Sequence, residues 1–458
     1  MTSNSGGPGR IPVDVWLNDY PVVPYFLRET ADLAGRFNAV HPEYEVRVSG
    51  RDHQILPRAV FDAAGQGTPP AIVQYFYTST QLARDMLTRD GAPLFTSIEK
   101  AVRGRAEILG EPIRLDDLVA AARDYYTCDG QLAAMPPLTS TTLLYANTTL
   151  LDAAGVAEVP LTWAEVETAC KAVAALPGGP AHGITWPNHG WIFQQSVAQQ
   201  GGLLAGPDNG RSGRAETVRL ASDEMLAWVG WWRRLHREGR YLYTGTPAAG
   251  AGTFRAWEDN FAAFAAQRVA FVLSTSVEAE RMVRAGADGG FTVTANRMPH
   301  NGEVPYAGNV IGGDSLWLTD GLDADTRDGA LAFLQFMIDP RNAASRHQES
   351  RFIPVTRASS ALLESEGWFE ENPHHRVAVE QLDAGDGSAA ARGALLGDFA
   401  GIQEVMTVAM HEVLAGDADP GARFRRATGD AQALLDDYNA HCLGTAPGPR
   451  GPHTFTVN

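Results

Sequence analysis

Val13-Asp-Val-Trp-Leu17 and Ala71-Ile-Val-Gln-Tyr-Phe76 decide the fold, because each is a short apolar run typical of a buried strand. Between them, apolar residues recur at helical spacing over 26–37, and residues 44–48 alternate like a half-buried strand. A second helical stretch runs from about residue 55 to 65 and ends before Gly67-Thr-Pro-Pro70. The order β-α-β-α-β predicts an open α/β sheet.

The carboxyl ends of these strands are the expected ligand edge, as in other open α/β sheets. Asn18, the His53 region and Tyr77 follow the three predicted strands. We therefore expect these side chains to face a bound molecule.

Length and composition indicate a soluble globular protein with two domains. The chain has 458 residues, of which 44% are hydrophobic and 20% are charged. A chain of this length usually folds into more than one compact core. No run approaches the roughly 20 apolar residues of a membrane span. The net charge of −17 argues against nucleic acid, because phosphate binding needs clustered Lys and Arg.

Three cysteines, Cys128, Cys170 and Cys442, leave two interpretations open. One disulfide with a free thiol fits an oxidising compartment, and three buried thiols fit equally well. Residues 1–10 lack the apolar core of a signal peptide. That absence indicates a cytoplasmic protein, and it is equally expected of a chain cut just after an export signal.

Later segments predict further helices and loops. Thr162-Trp-Ala-Glu165 is a capping box that starts a helix near Trp163. Trp residues at helical spacing over 225–235 indicate core packing rather than a ligand platform. Residues 244–253 are expected to form a flexible loop. Helices are also expected over 330–338, 402–414 and 423–438.

Motifs for nucleotide binding, serine hydrolysis and zinc peptidase chemistry are absent. The aspartates over 320–328 have the wrong spacing for a calcium loop and are expected at a helix N-terminus. His374 and His375 are expected to be solvated rather than bound to metal. No cofactor is expected. A glycosidase is not excluded, because its paired carboxylates have no fixed sequence spacing.

Ordered segments resemble the family 1 extracellular solute-binding proteins of ABC importers, near the branch that binds glycerol-3-phosphate and glycerophosphodiesters. They span about residues 11–440, and Gly312-Gly-Asp-Ser-Leu-Trp317 is the most specific of them. The others are Leu33-Ala-Gly-Arg-Phe-Asn38, Gly67-Thr-Pro-Pro-Ala-Ile-Val-Gln74, Leu144-Tyr-Ala-Asn147, the 160–165 capping box, Gly190-Trp-Ile192, Phe352-Ile-Pro-Val-Thr356 and Leu396-Gly-Asp398.

The resemblance implies a two-lobed, type II periplasmic-binding-protein-like α/β fold with discontinuous lobes, a central cleft and a hinge. The first lobe is expected to comprise residues 11–147 with about 306–370, and the second about 148–305 with 371–443. Residues 1–10 and 444–458 are expected to be flexible tails. The lobes should close on the ligand by a hinge motion.

Carried over position by position, the resemblance also implies a pocket. Trp191 matches an aromatic that stacks on the ligand, and the backbone of Gly313 approaches it. His53 and Phe352 each stand where the branch has tyrosine, and Tyr77 stands where it has an acidic residue. The remaining matches are polar: Ser140, and Ser276 or its neighbour Thr275.

Two departures from the branch concern the charge of the ligand. Leu395 stands where the branch has a phosphate-binding arginine, and leucine offers no donor. Asp314 adds a carboxylate that accepts from sugar hydroxyls and repels phosphate. Both departures favour a neutral carbohydrate or glycosyl-polyol. A glycerophosphodiester such as glycerophosphocholine stays open, because Arg351 could restore phosphate binding.

The implied partners are a carbohydrate or glycerol-derived ligand and the permease subunits of an ABC importer. The protein is then expected to be a monomer and not an enzyme. Its implied location is extracellular, as a cell-surface lipoprotein or a periplasmic protein. The alternatives are a carbohydrate-active enzyme and an adhesin with no role in transport.

Overall fold

The predicted β-α-β-α-β run forms one side of a mixed sheet in the computed structural model. The structure describes residues 9–20, 25–245, 253–448 and 450–452, except for the side chain of Thr253. The predictions for residues 1–8, 246–252 and 453–458 lie outside the described residues. The strands are β1 Ile11–Asp19, β2 Tyr44–Asp52, β3 Ile72–Phe76, β4 Phe95–Thr96, β5 Glu107–Ile108, β6 Glu111–Pro112, β7 Thr127–Cys128, β8 Gln131–Leu132, β9 Met135–Ser140, β10 Thr142–Asn147, β11 Ile184–Thr185, β12 Ala205–Gly206, β13 Thr217–Val218, β14 Phe271–Thr275, β15 Val293–Arg297 and β16 Gly312–Thr319.

Helices cover the sheets and begin where the sequence supplies caps. Thr162 Oγ1 accepts from the Glu165 amide at 3.3 Å, and Glu165 Oε2 accepts from the Thr162 amide at 2.9 Å, which confirms the capping box. The helices are α1 Tyr25–Val40, α2 Leu56–Gln66, α3 Thr80–Asp85, α4 Ile98–Val102, α5 Ala120–Tyr126, α6 Thr148–Ala153, α7 Trp163–Ala174, α8 Gly190–Gln199, α9 Asp223–Arg237, α10 Thr253–Ala265, α11 Ala279–Gly289, α12 Ala324–Met337, α13 Pro340–Ser350, α14 Arg357–Ser365, α15 Trp368–Glu371, α16 Arg376–Asp383, α17 Phe399–Ala415 and α18 Pro420–Leu443.

Two sheets define two lobes. The first has the order β2-β1-β3-β16-β4, with β9 paired to β16. Strands β1, β2 and β3 are parallel, while β16 is antiparallel to β3. The second sheet has the order β11-β14-β10-β15. Because β16 returns to the first sheet after β15, the lobes are discontinuous in sequence.

The chain crosses between the lobes at Thr141. Strand β9 pairs with β16 in the first sheet, and β10 pairs with β14 and β15 in the second. The predicted end of the first lobe at residue 147 is therefore wrong by one strand, because the hydrogen bonds of β10 place it in the second lobe. Later in the chain, α13 packs on α1 of the first lobe, and α17 and α18 pack on α8 and α9 of the second.

Buried aromatic side chains fill the core of the second lobe. Trp228 and Trp232 are fully buried, and Trp186 stacks on Trp231 with ring centroids 5.6 Å apart. The prediction of core packing for this stripe is confirmed. All three cysteines are buried and free, which matches the second of the two open interpretations.

The described part of the C-terminal segment is attached to α18. The Gly451 amide donates to the His441 carbonyl at 3.1 Å, and Arg450 Nε donates to the Cys442 carbonyl at 3.0 Å. Among the described residues, no helix is long and apolar enough to cross a bilayer.

Candidate functional site

The first sheet brings a polar cluster together where its strands face the second lobe. Asn18 lies near the carboxyl end of β1, and Phe76 ends the parallel strand β3. Because β16 is antiparallel to β3, the start of β16 meets the same edge, and Asp314 pairs with Phe76. The edge predicted from the strand order therefore carries both the predicted Asn18 and the predicted Asp314.

Asp314 is a buried carboxylate held by neutral donors. Its side chain belongs to a residue only 3% exposed. Tyr20 Oη donates to Asp314 Oδ1 at 3.1 Å, and Asn18 Nδ2 lies 3.5 Å from the same oxygen. No Lys or Arg lies within ion-pair distance of Asp314 in the described part of the chain. The residues outside that part contain no Lys or Arg.

Burial raises the pKa of Asp314 from 3.8 to about 6, against the hydrogen bonds that lower it. Holding the carboxylate ionised at neutral pH then costs roughly 3 kcal/mol of stability, at 1.36 kcal/mol per pKa unit. Since the folded state binds this proton more tightly than the unfolded state, the stabilising contribution falls as pH rises from about 4 to about 6. A group that weakens the fold in this way is typical of a functional position.

Two tyrosines near Asp314, Tyr20 and Tyr25, each belong to an aromatic pair. The rings of Tyr20 and His53 lie 5.1 Å apart, and those of Tyr25 and Phe352 lie 6.2 Å apart. From the second lobe, Phe254 approaches His53 at 6.5 Å. Burial lowers the pKa of His53, so the imidazole is neutral in this setting. A cavity of about 10 Å³ lies beside Asn18, Tyr20 and His53, and its other lining residues are Pro57, Tyr75, Phe76, Thr78 and Ser79.

The predicted Trp191 lies against the strand that returns to the first lobe. Its Nε1 donates to the Ile311 carbonyl at 3.2 Å. A Cβ at Gly312 would lie 2.8 Å from Trp191 Cζ2 and 3.1 Å from Ser140 Oγ, so a glycine is needed for this contact. His189 Nδ1 accepts from the Trp191 amide at 3.1 Å. Trp191 is therefore fixed between the lobes, next to the predicted Ser140.

The neighbouring glycine, Gly313, has its own structural reason to be glycine. Its φ of +111° is unfavourable for residues with a side chain, and an ideal Cβ would overlap the Leu138 carbonyl. Close approach to the paired strand β9 explains this glycine without any ligand.

Thr275 and Ser276 stabilise the crossing. Ser276 Oγ accepts from the Thr141 amide at 3.2 Å, and the Ser276 amide donates to the Thr141 carbonyl at 2.8 Å. Thr275 Oγ1 accepts from the Val277 amide. These contacts place both residues at the start of the second lobe, beside the hinge.

Tyr77 joins the lobes through its hydroxyl. Its Oη accepts from Gln403 Nε2 at 2.8 Å and from Gln194 Nε2 at 3.3 Å, and the residue is 1% exposed. Both glutamines belong to the second lobe. The donors and acceptors of Tyr77 are thus directed at protein partners.

Leu395 and Arg351, the two positions considered for phosphate binding, both contact other parts of the protein. Leu395 is 2% exposed within the hydrophobic core, and its amide donates to the Asn209 carbonyl at 2.8 Å. Its side chain packs in the hydrophobic core, and its placement among possible ligand contacts stays a prediction. Arg351 forms an ion pair with Glu280 of α11 across the cleft.

A different arginine lies near the cluster and was not predicted from the sequence. Arg346 is 3% exposed, and its Nε donates to the Glu29 carboxylate at 2.9 and 3.0 Å. Among the described residues, its Nη1 and Nη2 have no hydrogen-bond partner, and neither does the buried hydroxyl of the nearby Tyr25. Burial, helped by the negative charge of Asp314, raises the pKa of Tyr25.

Three further residues were missed for different reasons. Tyr20 comes two positions after Asn18 and could have been found by extending the strand-end argument. Phe254 and Trp257, which lies 6.2 Å from the Trp191 ring, reach the cleft from α10. Nothing in their local sequence indicates that position.

His375 differs from expectation. His375 is 4% exposed, and its ring lies 5.3 Å from His347 and 6.3 Å from Trp368. The prediction that it is solvated is wrong, because α13 and α15 cover it. Across the described residues, no group of three or more His, Cys, Asp or Glu side chains is arranged to hold a metal ion.

Two α/β lobes around a polar and aromatic cleft define a clamp for a small molecule rather than a surface for a macromolecule. The chain belongs to the family of bacterial extracellular solute-binding proteins, whose sequence model matches residues 32–377. This match covers more than half of the chain.

Individual relatives agree with the family. The sn-glycerol-3-phosphate-binding periplasmic protein UgpB of Salmonella typhimurium is 25% identical over 419 residues, covering 89% of each chain. The cyclic α-maltosyl-1,6-maltose binding protein of Arthrobacter globiformis matches with a TM-score of 0.70 and 20% identity, over 94% of this chain and 100% of that one. UgpB of Mycobacterium tuberculosis in complex with glycerophosphocholine matches with a TM-score of 0.65 and 20% identity, over 94% and 99%. The two structures confirm the two-lobed fold.

Proposed function

We propose that this chain captures a small polyhydroxylated solute in the cleft between its lobes and delivers it to the permease of an ABC importer. It acts outside the cytoplasmic membrane, as a cell-surface lipoprotein or a periplasmic protein, and works as a monomer without catalysing a reaction. The observation that carries the proposal is the buried Asp314 with its Tyr20 and Asn18 donors, at the edge of the first sheet that faces the second lobe.

The chemistry of this cluster fits a sugar, an oligosaccharide or a glycosyl-polyol. Carboxylate and amide groups accept and donate to hydroxyls, while the aromatic rings pack against the C–H faces of a sugar. The Arthrobacter relative binds a cyclic maltosyl-maltose, which supports a carbohydrate. The proposed pocket comprises His53, Ser140, Trp191, Asp314 and Phe352, with the newly found Tyr20 and Tyr25.

A glycerophosphodiester is the second candidate, and Arg346 is the observation that favours it. Its two Nη atoms and the Tyr25 hydroxyl, which have no hydrogen-bond partner among the described residues, could donate to a phosphate. Against this, Arg346 already neutralises Glu29, and Asp314 would repel a second negative charge nearby. Glycerol-3-phosphate and glycerophosphocholine stay candidate ligands, because they appear in the names of the two UgpB relatives.

A thermal-shift screen tests the proposed function. We expect neutral sugars or polyols to raise the melting temperature, because a ligand that binds only the folded state stabilises it by RT ln(1 + [L]/Kd). Glycerol-3-phosphate should give a smaller shift at the same concentration. No shift with any sugar, polyol or glycerophosphodiester would contradict the proposal. A dominant shift with glycerol-3-phosphate that disappears in Arg346→Gln would support the second candidate.

The Arg351–Glu280 ion pair is expected to help hold the lobes closed. Replacing Arg351 with Gln removes an interlobe attraction and should weaken solute binding by about two- to fivefold, the range of partly exposed ion pairs. Arg284→Gln is the matched control, since Arg284 pairs with Glu280 at 2.8 Å within helix α11. Calorimetric titration of both variants measures the effect. Equal weakening in both would mean that only the charge of Glu280 matters.

A further inference from the structure

No positively charged side chain of the described residues pairs with Asp314. This bears on the ligand of the proposed cleft, and the inference rests on the proposed function. Tyr20 and Asn18 donate to a single oxygen, Oδ1, and both are neutral. Hydrogen bonds from neutral donors offset only part of the free energy of burying a carboxylate. A ligand group with a full positive charge would supply the missing counterpart.

The aromatic surroundings have the geometry that suits a cation. Tyr20, which donates to the carboxylate, forms a tilted ring pair with His53, and Phe254 of the second lobe contacts His53 at an interplanar angle of 80°. Tyr25 and Phe352 form a second pair. Aromatic faces attract ammonium groups within about 6 Å of a ring centroid, and the attraction increases when water is excluded.

We propose that the Asp314 side of the cleft binds an organic ammonium group of the solute, held by the carboxylate and the rings of Tyr20 and Tyr25. An amino sugar offers a primary ammonium, and a choline-bearing solute offers a quaternary one. The shared chemistry is the positive charge. A neutral hydroxyl would be accepted at the same place, but with a weaker interaction than a charge-assisted one.

Matched probes that differ only in charge test this inference. Glucosamine is compared with glucose, and choline with its uncharged isostere 3,3-dimethylbutanol, by calorimetric titration at about pH 7. We expect each amine to bind about tenfold or more tightly than its neutral partner, as a desolvated charge pair allows. The pair with the larger ratio shows whether the ammonium is primary or quaternary.

Two variants, Asp314→Asn and Asp19→Asn, distinguish a direct contact between Asp314 and the ammonium group from a general effect of negative charge near the site. Both remove one charge near the same end of β1, but Asp19 is exposed while Asp314 is buried. Asparagine at 314 keeps an oxygen that can accept from Tyr20, so the fold should survive, and the melting temperature checks this. The amine preference should fall to about one in Asp314→Asn and stay unchanged in Asp19→Asn.

Three results would overturn the inference. They are equal binding of charged and neutral probes, loss of the preference in both variants, and no binding of either amine at millimolar concentration. If neutral sugars or polyols bind without any amine preference, the proposed function stands and only this inference fails. If no member of either set binds, both fail.

Discussion

Gly313→Ala is expected to lower the free energy of unfolding by roughly 3–5 kcal/mol. An alanine at a φ of +111° is strained, and its Cβ would overlap the Leu138 carbonyl of the paired strand. Because this contact is to backbone, no side-chain rotation relieves it. Denaturant unfolding followed by circular dichroism measures the loss.

Gly290→Ala is the control for this prediction. Gly290 also has a positive φ, +72°, but nothing lies within 4 Å of its ideal Cβ. It should therefore lose only about 1 kcal/mol, the cost of the left-handed conformation alone. If Gly313→Ala lost no more than Gly290→Ala, the close packing of β9 against β16 would be contradicted.

Trp191→Ala is expected to cost about 3–5 kcal/mol of stability, as is typical for removing a buried Trp. We also expect it to weaken solute binding by about 1–3 kcal/mol, because the ring offers an apolar surface at the proposed cleft. The ring contacts Gly312 of the first lobe from a helix of the second, so its removal should also loosen closure. Unfolding experiments and calorimetric titration measure the two effects separately.

Trp186 provides the comparison for Trp191. It is 1% exposed and lies in the tryptophan core of the second lobe. Trp186→Phe and Trp191→Phe should both reduce stability modestly, but only Trp191→Phe should reduce affinity. A stability loss in both with unchanged affinity would show that Trp191 only fills space.

Local sequence patterns predicted the elements but not the arrangement of the lobes. The apolar run around Val13 and the run ending at Phe76 indicated β1 and β3, because a strand buried in a sheet leaves a readable pattern. The same patterns could not show that β10 pairs in the second sheet. Pairing depends on contacts with β14 and β15, more than a hundred residues later.

The candidate site divides in the same way. Asn18 was predicted because it stands at the end of a predicted strand. Asp314 was predicted because the resemblance places it at the pocket, where the related branch has a small residue. Arg346 and Tyr25 have no local signal, since α1 and α13 meet only in the folded lobe. Leu395 was carried over from a position of the related branch, and no local pattern indicated that its side chain packs in the hydrophobic core.

Isothermal titration calorimetry of the intact chain, with the solute that most raises its melting temperature, tests the central claim most directly. The account predicts saturable binding at one site per chain, a negative heat-capacity change from closing an aromatic cleft, and an unaltered solute recovered afterwards. The absence of saturable heat with every carbohydrate, polyol and glycerophosphodiester would contradict the account, as would conversion of the solute into a product.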